Sequence, residues 1–344
     1  WLDPRDAELA ASGKAILGWH DTHRHCARCG SATDLAQGGW QRVCPDCGGK
    51  TEFIREETYF FKLSAFQNRL MAFYQDNPDF VIPRSRMNEI LSFVVRGLKD
   101  ISISRTSFSW GIPVPQDDKH IFYVWFDALM GYLSGGGFGG EEEQFEKNWP
   151  ADVQLMGKDI LRFHGVYWPA FLMAADLELP RRLLVHGWWT IDGEKMSKSL
   201  GNFITAQQLI DSLPLDALRY FLVRESSLGS DGNFSLQSLI TRANSDLSND
   251  LGNLCSRVLT MIESYFDGQV PESAGLEDRD QELVRFSKET IGLYTGNFDQ
   301  FQINKALENV WELISVVNKY IVAHEPWVLA KNPSKQDRLD LQAP

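Results

Sequence analysis

Lys195-Met196-Ser197-Lys198-Ser199 places two lysines and two hydroxyls in one short stretch between Gly193 and Gly201. Two ammonium groups on a loop suit a triphosphate, because they stabilise the negative charge that builds on a departing pyrophosphate. Alone, the pentapeptide reads equally well as a solvated turn. Its flanks narrow the choice: His186-Gly187-Trp188-Trp189-Thr190-Ile191-Asp192-Gly193 precedes it and Leu200-Gly201-Asn202 follows.

Cys26-x-x-Cys29 and Cys44-x-x-Cys47 stand fourteen residues apart. Each pair makes a knuckle whose thiolates face one point, and two knuckles supply the closed tetrahedral shell of a structural zinc. Gly30 and Gly48 follow the knuckles, where the backbone must turn. The alternative is four buried thiols. His20, His23 and His25 read as surface residues beside the cluster.

A third set lies on helices. Asn249, Asn253 and Arg257 recur every four residues opposite an apolar stripe of Leu247, Leu251, Leu254, Val258, Met261, Ile262 and Tyr265. Two amides and a guanidinium can read base edges of single-stranded RNA. Trp327 follows an amphipathic run (Ala306, Val310, Leu313, Val317, Tyr320) and is placed to stack on an unpaired base. A plain solvent face with a capping tryptophan gives the same pattern.

These residues need elements to carry them. Strand signals at 120–125, 152–155 and 183–186, with a helix at 160–174, set a βαβ rhythm and predict a parallel sheet. Helices are expected near 7–19, 66–74 and 86–97, a flexible loop at 134–143, and nearly unbroken helix from 236. A chain of 344 residues is expected to form two or three domains. With 34 basic and 46 acidic residues the net charge is −12, so an RNA partner must meet a local basic face. No apolar run is long enough to span a bilayer. The opening WLDPRDAELA is not a secretory signal, and paired cysteines beside a lone Cys255 suit a reducing cytoplasm. Trp1 at the start predicts a fragment of a longer product.

From about residue 51 to the end the chain resembles the methionyl-tRNA synthetases, a branch of the class I aminoacyl-tRNA synthetases. The resemblance is carried by 195–199, by Tyr123-Val-Trp-Phe-Asp-Ala-Leu-Met-Gly-Tyr132, and by Gly157-Lys-Asp-Ile-Leu-Arg-Phe-His164. It implies an α/β fold: the second half of a Rossmann-like catalytic domain, preceded by a zinc-bearing connective region and followed by an α-helical anticodon-binding bundle. The implied divisions are a ribbon or knuckle at 1–50, the remaining connective region at 51–104, the catalytic half at 105–200, a stem-contact region at 201–235 and the bundle at 236–344.

The resemblance implies methionine, ATP with Mg²⁺, and tRNA(Met) as partners. Lys195, Ser197 and Lys198 would then hold the phosphates, with the two lysines as catalytic groups. Gly157 and Asp159 would meet the ATP ribose, and Trp189 and its neighbours would lie beside adenine. Methionine is apolar and polarisable, so its site should be aromatic and aliphatic. Trp125, Ala128, Leu129, Tyr132, Ile160, Phe163 and His164 supply such a lining. Asn249, Asn253, Arg257 and Trp327 match the family's anticodon readers, and Cys26, Cys29, Cys44 and Cys47 its structural zinc site.

Two departures stand out. The family's early His-x-Gly-His signature does not occur, so the first half of the catalytic domain is expected to be missing and the chain alone inactive. Residues 1–48 also resemble the zinc ribbon of Nudix-type NADH pyrophosphatases, although the Nudix box itself is absent. A non-catalytic tRNA-binding or zinc-ribbon interaction protein is therefore the alternative, and a Nudix-type fusion a more distant one.

Overall fold

The computed structural model describes residues 17, 20, 24–26, 30–37, 41–48, 50–52, 56–140, 142–191, 193–196, 204–270 and 275–331. The helix expected at 7–19 lies outside them apart from residue 17. The described chain forms two compact units, one from residues up to 65 plus 99–140, the other from 66–98, 142–196 and 204–331.

The first unit opens with an antiparallel ribbon of strands Asp34–Ala36, Gln41–Val43 and Lys50–Glu52. Buried Arg42 braces it, donating from Nε to Thr33 Oγ1 and from Nη2 to the Thr33 carbonyl, each at 2.6 Å. Further on, Asp117–Phe122 pairs with Ser104–Arg105 and Pro113–Val114. The strand expected at 120–125 thus ends at Phe122, and Trp125 lies inside helix Val124–Gly136. This helix also replaces the first part of the loop expected at 134–143. It stops at Gly137, whose φ of 105° is the left-handed conformation that caps helices without a Cβ penalty.

The second unit is built on a parallel sheet. Gln154–Gly157 pairs with Leu183–His186, which pairs on its other side with Val81–Ile82. Buried Met156, Leu183 and Val185 on the strands, and Ile90, Val166 and Trp168 on helices, form its core. The helix expected at 160–174 comes in three pieces: a 3-10 turn Lys158–Ile160, a π-helical turn Phe163–Tyr167 and an α-helix Trp168–Ala174. Pro169 explains the break. It has no N–H to offer the carbonyl of residue 165, and its ring crowds that carbonyl, so the helix widens.

Strand Trp189–Ile191 then pairs in parallel with Gly232–Phe234, and Phe221, Phe234 and Leu239 pack beside it. The helical part runs through Leu236–Arg242, a ten-residue π-helix Ala243–Gly252, Asn253–Phe266, Asp278–Asp299, Ile303–His324 and the short Pro326–Leu329. Leu254, Ile314 and Ile321 form its buried cluster. The π-helix alters the expected stripe: Leu251 is exposed, because its backbone does not keep α-helical spacing. No described helix is long and apolar enough to cross a membrane.

Candidate functional site

In the ribbon, the sulfurs of Cys26, Cys44 and Cys47 lie within 4.8 Å of one another, with Cys26 and Cys47 3.5 Å apart. Four thiolates at about 2.3 Å from one zinc would sit roughly 3.8 Å apart, so these spacings fit that ion. The knuckle turns are closed by Gly30 N–H donating to the Cys26 carbonyl at 2.8 Å and Gly48 N–H to that of Cys44 at 2.9 Å. Both glycines have positive φ, 78° and 66°. Cys29 lies outside the described residues, as does His23. His25 is exposed, and the His20 Nδ1 lies 3.3 Å from Arg42 Nη1.

In the first unit, Trp125, Ala128, Leu129 and Tyr132 share one face of helix Val124–Gly136. Leu129 is buried, and burial raises the Tyr132 phenol above its ordinary range.

In the second unit, Gly157 ends its strand and Asp159 lies on the turn after it. A Cβ on Gly157 would fall 2.6 Å from Asp159 Oδ1, so only glycine leaves that carboxylate in place. Trp188 Nε1 donates to Asp159 Oδ1 at 3.3 Å, and Trp188 N–H to Asp231 Oδ1 at 2.8 Å. Lys158 Nζ sits 2.6 Å from the Asp231 carboxylate and 4.2 Å from the Trp188 ring centroid. The Lys158 hydrogen bond, with that of Trp188 N–H, holds the Asp231 carboxyl below its usual range. Gly187 permits this closeness, since a Cβ there would fall 2.0 Å from the Ser230 carbonyl oxygen. Trp189 turns the other way: its ring packs 6.0 Å from Phe221 in the apolar cluster, so its polar offer to a ligand is backbone. The sequence reading assigns Lys158 no role, places Trp188 only as a neighbour of Trp189, and does not single out Asp231. Lys158 and Trp188 sit beside flagged residues, whereas Asp231 is remote in the chain and carries no motif.

Ile160, Phe163 and His164 cluster where the 3-10 turn passes into the π turn. His164 is 2 % exposed and its Nδ1 lies 3.0 Å from the Ile160 carbonyl. That contact makes Nδ1 the protonated nitrogen. Burial lowers the ring's pKa, outweighing the carbonyl, so the imidazole is neutral near pH 7 and Nε2 is an acceptor.

The hairpin that leads into the lysine-rich stretch is anchored by Asn233. Its Oδ1 accepts from Gly193 N–H at 2.8 Å and from Thr190 Oγ1 at 3.1 Å. Lys195 pairs with Thr190 in this hairpin. Ser197, Lys198 and Ser199 lie outside the described residues.

On the helical part, Asn249, Asn253 and Arg257 line one groove of about 890 Å³, joined from helix Ile303–His324 by Ser315, Asn318 and Lys319. The sequence reading found one wall of this groove and missed the other, sixty residues away. Trp327 is not in its lining. It rests half-buried against the Leu254–Ile314–Ile321 cluster, leaving only its remaining surface for stacking.

The profile of the "tRNA synthetases class I (M)" family matches residues 18–259. That span includes the Cys-rich ribbon and is wider at its start than the resemblance read from residue 51. The chain is 47% identical over 323 residues to the methionine–tRNA ligase of Caldanaerobacter subterraneus subsp. tengcongensis, covering 94% of this chain and 50% of that protein. It is 45% identical over 335 residues to that of Mycobacterium tuberculosis H37Rv, covering 96% and 64%. A solved structure of Mycobacterium tuberculosis methionyl-tRNA synthetase in complex with methionyl-adenylate superposes with a TM-score of 0.80 at 45% identity, over 90% of this chain and 60% of that one. The chain thus spans between about half and two thirds of the length of these relatives.

Proposed function

The chain belongs to the class I methionyl-tRNA synthetases, and from that premise we propose that it supplies the distal part of a machine that activates methionine with ATP and transfers it to tRNA(Met). The observation that carries this reading is the pair of parallel strands Gln154–Gly157 and Leu183–His186. Parallel α/β sheets bind nucleotides beyond the carboxyl ends of their strands. Gly157 ends one strand and Asp159 follows it, and the segment leading to Lys195 follows the other.

In the first step a methionine carboxylate oxygen attacks the α-phosphorus of ATP, and the bond to pyrophosphate breaks. Asp159 accepts from the ribose hydroxyls, held by the Trp188 indole. Lys195, Ser197 and Lys198 hold the phosphates and offset the charge gathering on pyrophosphate. Mg²⁺, when bound, shares that charge. In the second step a ribose hydroxyl of the tRNA terminus attacks the acyl carbon and AMP leaves. Positioning and electrostatics dominate both steps.

Methionine is received by Trp125, Ala128, Leu129 and Tyr132, and by Ile160, Phe163 and neutral His164. An uncharged imidazole beside a thioether avoids burying a charge. Zinc held by Cys26, Cys29, Cys44 and Cys47 is structural, and elemental analysis of freshly reduced protein should find about one ion per chain, lost in Cys44→Ser. The helical part from 236 onward reads the anticodon, and the chain is assigned to the cytoplasm.

Methionine-dependent exchange of pyrophosphate into ATP tests the assignment, in a protein that supplies the remaining length of the relatives. Lys195→Ala and Lys198→Ala should each slow exchange with little change in methionine KM, since those charges act chiefly as pyrophosphate leaves. Unchanged exchange in both would reduce the lysine loop to a turn.

A further inference from the structure

The groove on the helical part has two walls. Arg257, on helix Asn253–Phe266, donates from Nη2 to Asn318 Oδ1 on helix Ile303–His324 at 2.6 Å. Asn318 is itself fixed, because its Nδ2 donates to the Ile314 carbonyl at 3.1 Å. Ile314 belongs to the buried cluster that joins the two helices. The amide therefore has one orientation: turned over, it would set its NH₂ against the guanidinium, donor against donor. Arg257 Nε is buried and has no hydrogen-bond partner among the described residues. A buried donor left unsatisfied is costly, and an acceptor brought by a ligand removes that cost.

We infer that Asn318 is a positioning residue, which aims the Arg257 guanidinium at an unpaired base edge carrying adjacent acceptor atoms. The inference rests on the reading of this groove as the anticodon site and adds to it the residue that makes Arg257 selective. An unrestrained arginine spends rotamer freedom when it binds. Here one of its five N–H groups is engaged beforehand by an acceptor anchored to the core, and the planar fork is held in a single attitude. Lys319 lines the same groove but has no such anchor among the described contacts, so it suits a phosphate.

The test titrates the full chain with anticodon stem-loop RNAs bearing CAU or a scrambled triplet. Asn318→Leu keeps the side chain's size and removes its acceptor. It should lower CAU affinity by about tenfold and leave the scrambled loop unchanged, as expected when one base-edge contact is lost. Arg257→Met should give the same loss, and the double variant should be no worse than Arg257→Met alone. Asn318→Asp retains an oxygen acceptor and should retain the preference for CAU. The inference is overturned by Asn318→Leu keeping the full preference, or by losses that multiply in the double variant, which would mark two separate contacts. If Asn318→Leu fails to fold by circular dichroism, Asn318→Asp decides, and its losing the preference while folded overturns the inference. A wild-type chain that binds both loops equally overturns the anticodon reading, and the inference with it; a wild-type preference lost in Arg257→Met but not in Asn318→Leu removes only Asn318.

Discussion

The second unit contains two π-helical segments, Phe163–Tyr167 and Ala243–Gly252, and each carries candidate site residues. They are held open by different means. The first is a backbone problem solved locally in the core. Pro169 withholds its amide from Gly165, and the buried Tyr74 hydroxyl donates to the Gly165 carbonyl in its place. The second contains no proline and lies on the surface. It is tied down through one buried side chain, Asp246, which accepts from Tyr220 at 2.7 Å, Ser245 at 2.6 Å and Arg242 at 3.4 Å. A missing donor widens one helix, and a charged anchor pins the other. π-helical turns are often found at functional sites, and here the first presents His164 and the second Asn249.

A large effect is expected when the first arrangement is broken. Tyr74→Phe removes one oxygen and leaves the Gly165 carbonyl buried without that donor, at a cost of about 1–3 kcal/mol by urea denaturation. Pro169→Ala sharpens the result, because it returns an amide to position 169. In that background the same Tyr74→Phe change should cost clearly less, and a double-mutant cycle would report the difference. Equal costs in both backgrounds would show that Tyr74 merely packs.

This contrast also explains how much could be read in advance. Pro169 stood in the sequence, yet the segment 160–174 reads there as one helix, although the break follows from proline's chemistry. The parallel strands, the two knuckles and the Asn249–Asn253–Arg257 face were legible because their signals are local periodicities or short spacings. Trp188 on Asp159, Tyr220 on Asp246, Asn318 on Arg257 and Tyr74 on Gly165 were not. All four join residues many turns apart, and no periodicity records such a pair. The turn of Trp189 into the apolar cluster was hidden similarly, since Trp188 and Trp189 are chemically identical neighbours and only the pairing of strand Trp189–Ile191 with Gly232–Phe234 decides which ring goes inward.

An intermediate effect is expected at the second segment, and it carries a pH signature. Burial pushes the Asp246 carboxyl up, but the hydrogen bonds from Ser245 and Tyr220 and the charge of Arg242 outweigh it, so its pKa lies below the ordinary value. A carboxyl depressed in the folded state contributes stability in full above its unfolded pKa, and that contribution is lost as pH falls through the folded value. Amides of 243–252 should therefore lose protection, relative to their intrinsic exchange rates, below about pH 4. Asp246→Asn should cost about 1–2 kcal/mol at pH 7 and flatten this acid limb. Tyr74 behaves oppositely. Burial raises its phenol pKa, so its contribution holds below about pH 10 and fades above it. Protection across 163–167 should instead begin to fall already below about pH 6.5, because buried His164, held neutral in the fold, resists the proton that the opened segment takes up. Loosening of both segments together, and only below about pH 4, would point to global acid unfolding and remove the contrast.

The smallest effect is the sharpest probe of helical period. On α-helical spacing, Leu251 and Leu254 belong to one apolar stripe, and both would be expected to cost about 2–5 kcal/mol on truncation to alanine. The π-helix ends at Gly252, between them, and separates their fates: Leu251 is 36% exposed, while Leu254 is 9% exposed and touches the Ile314–Ile321 cluster. Leu254→Ala should thus cost about 2–3 kcal/mol, whereas Leu251→Ala should stay within about 0.5 kcal/mol, as surface changes do. The comparison also bears on RNA reading, because the same change of period sets Asn249 relative to Asn253 along one wall of the groove. If Leu251→Ala proved as costly as Leu254→Ala, the segment would be an ordinary α-helix in solution. Asn249 would then be rotated away from its place beside Asn253, and the groove would lose that end of its wall.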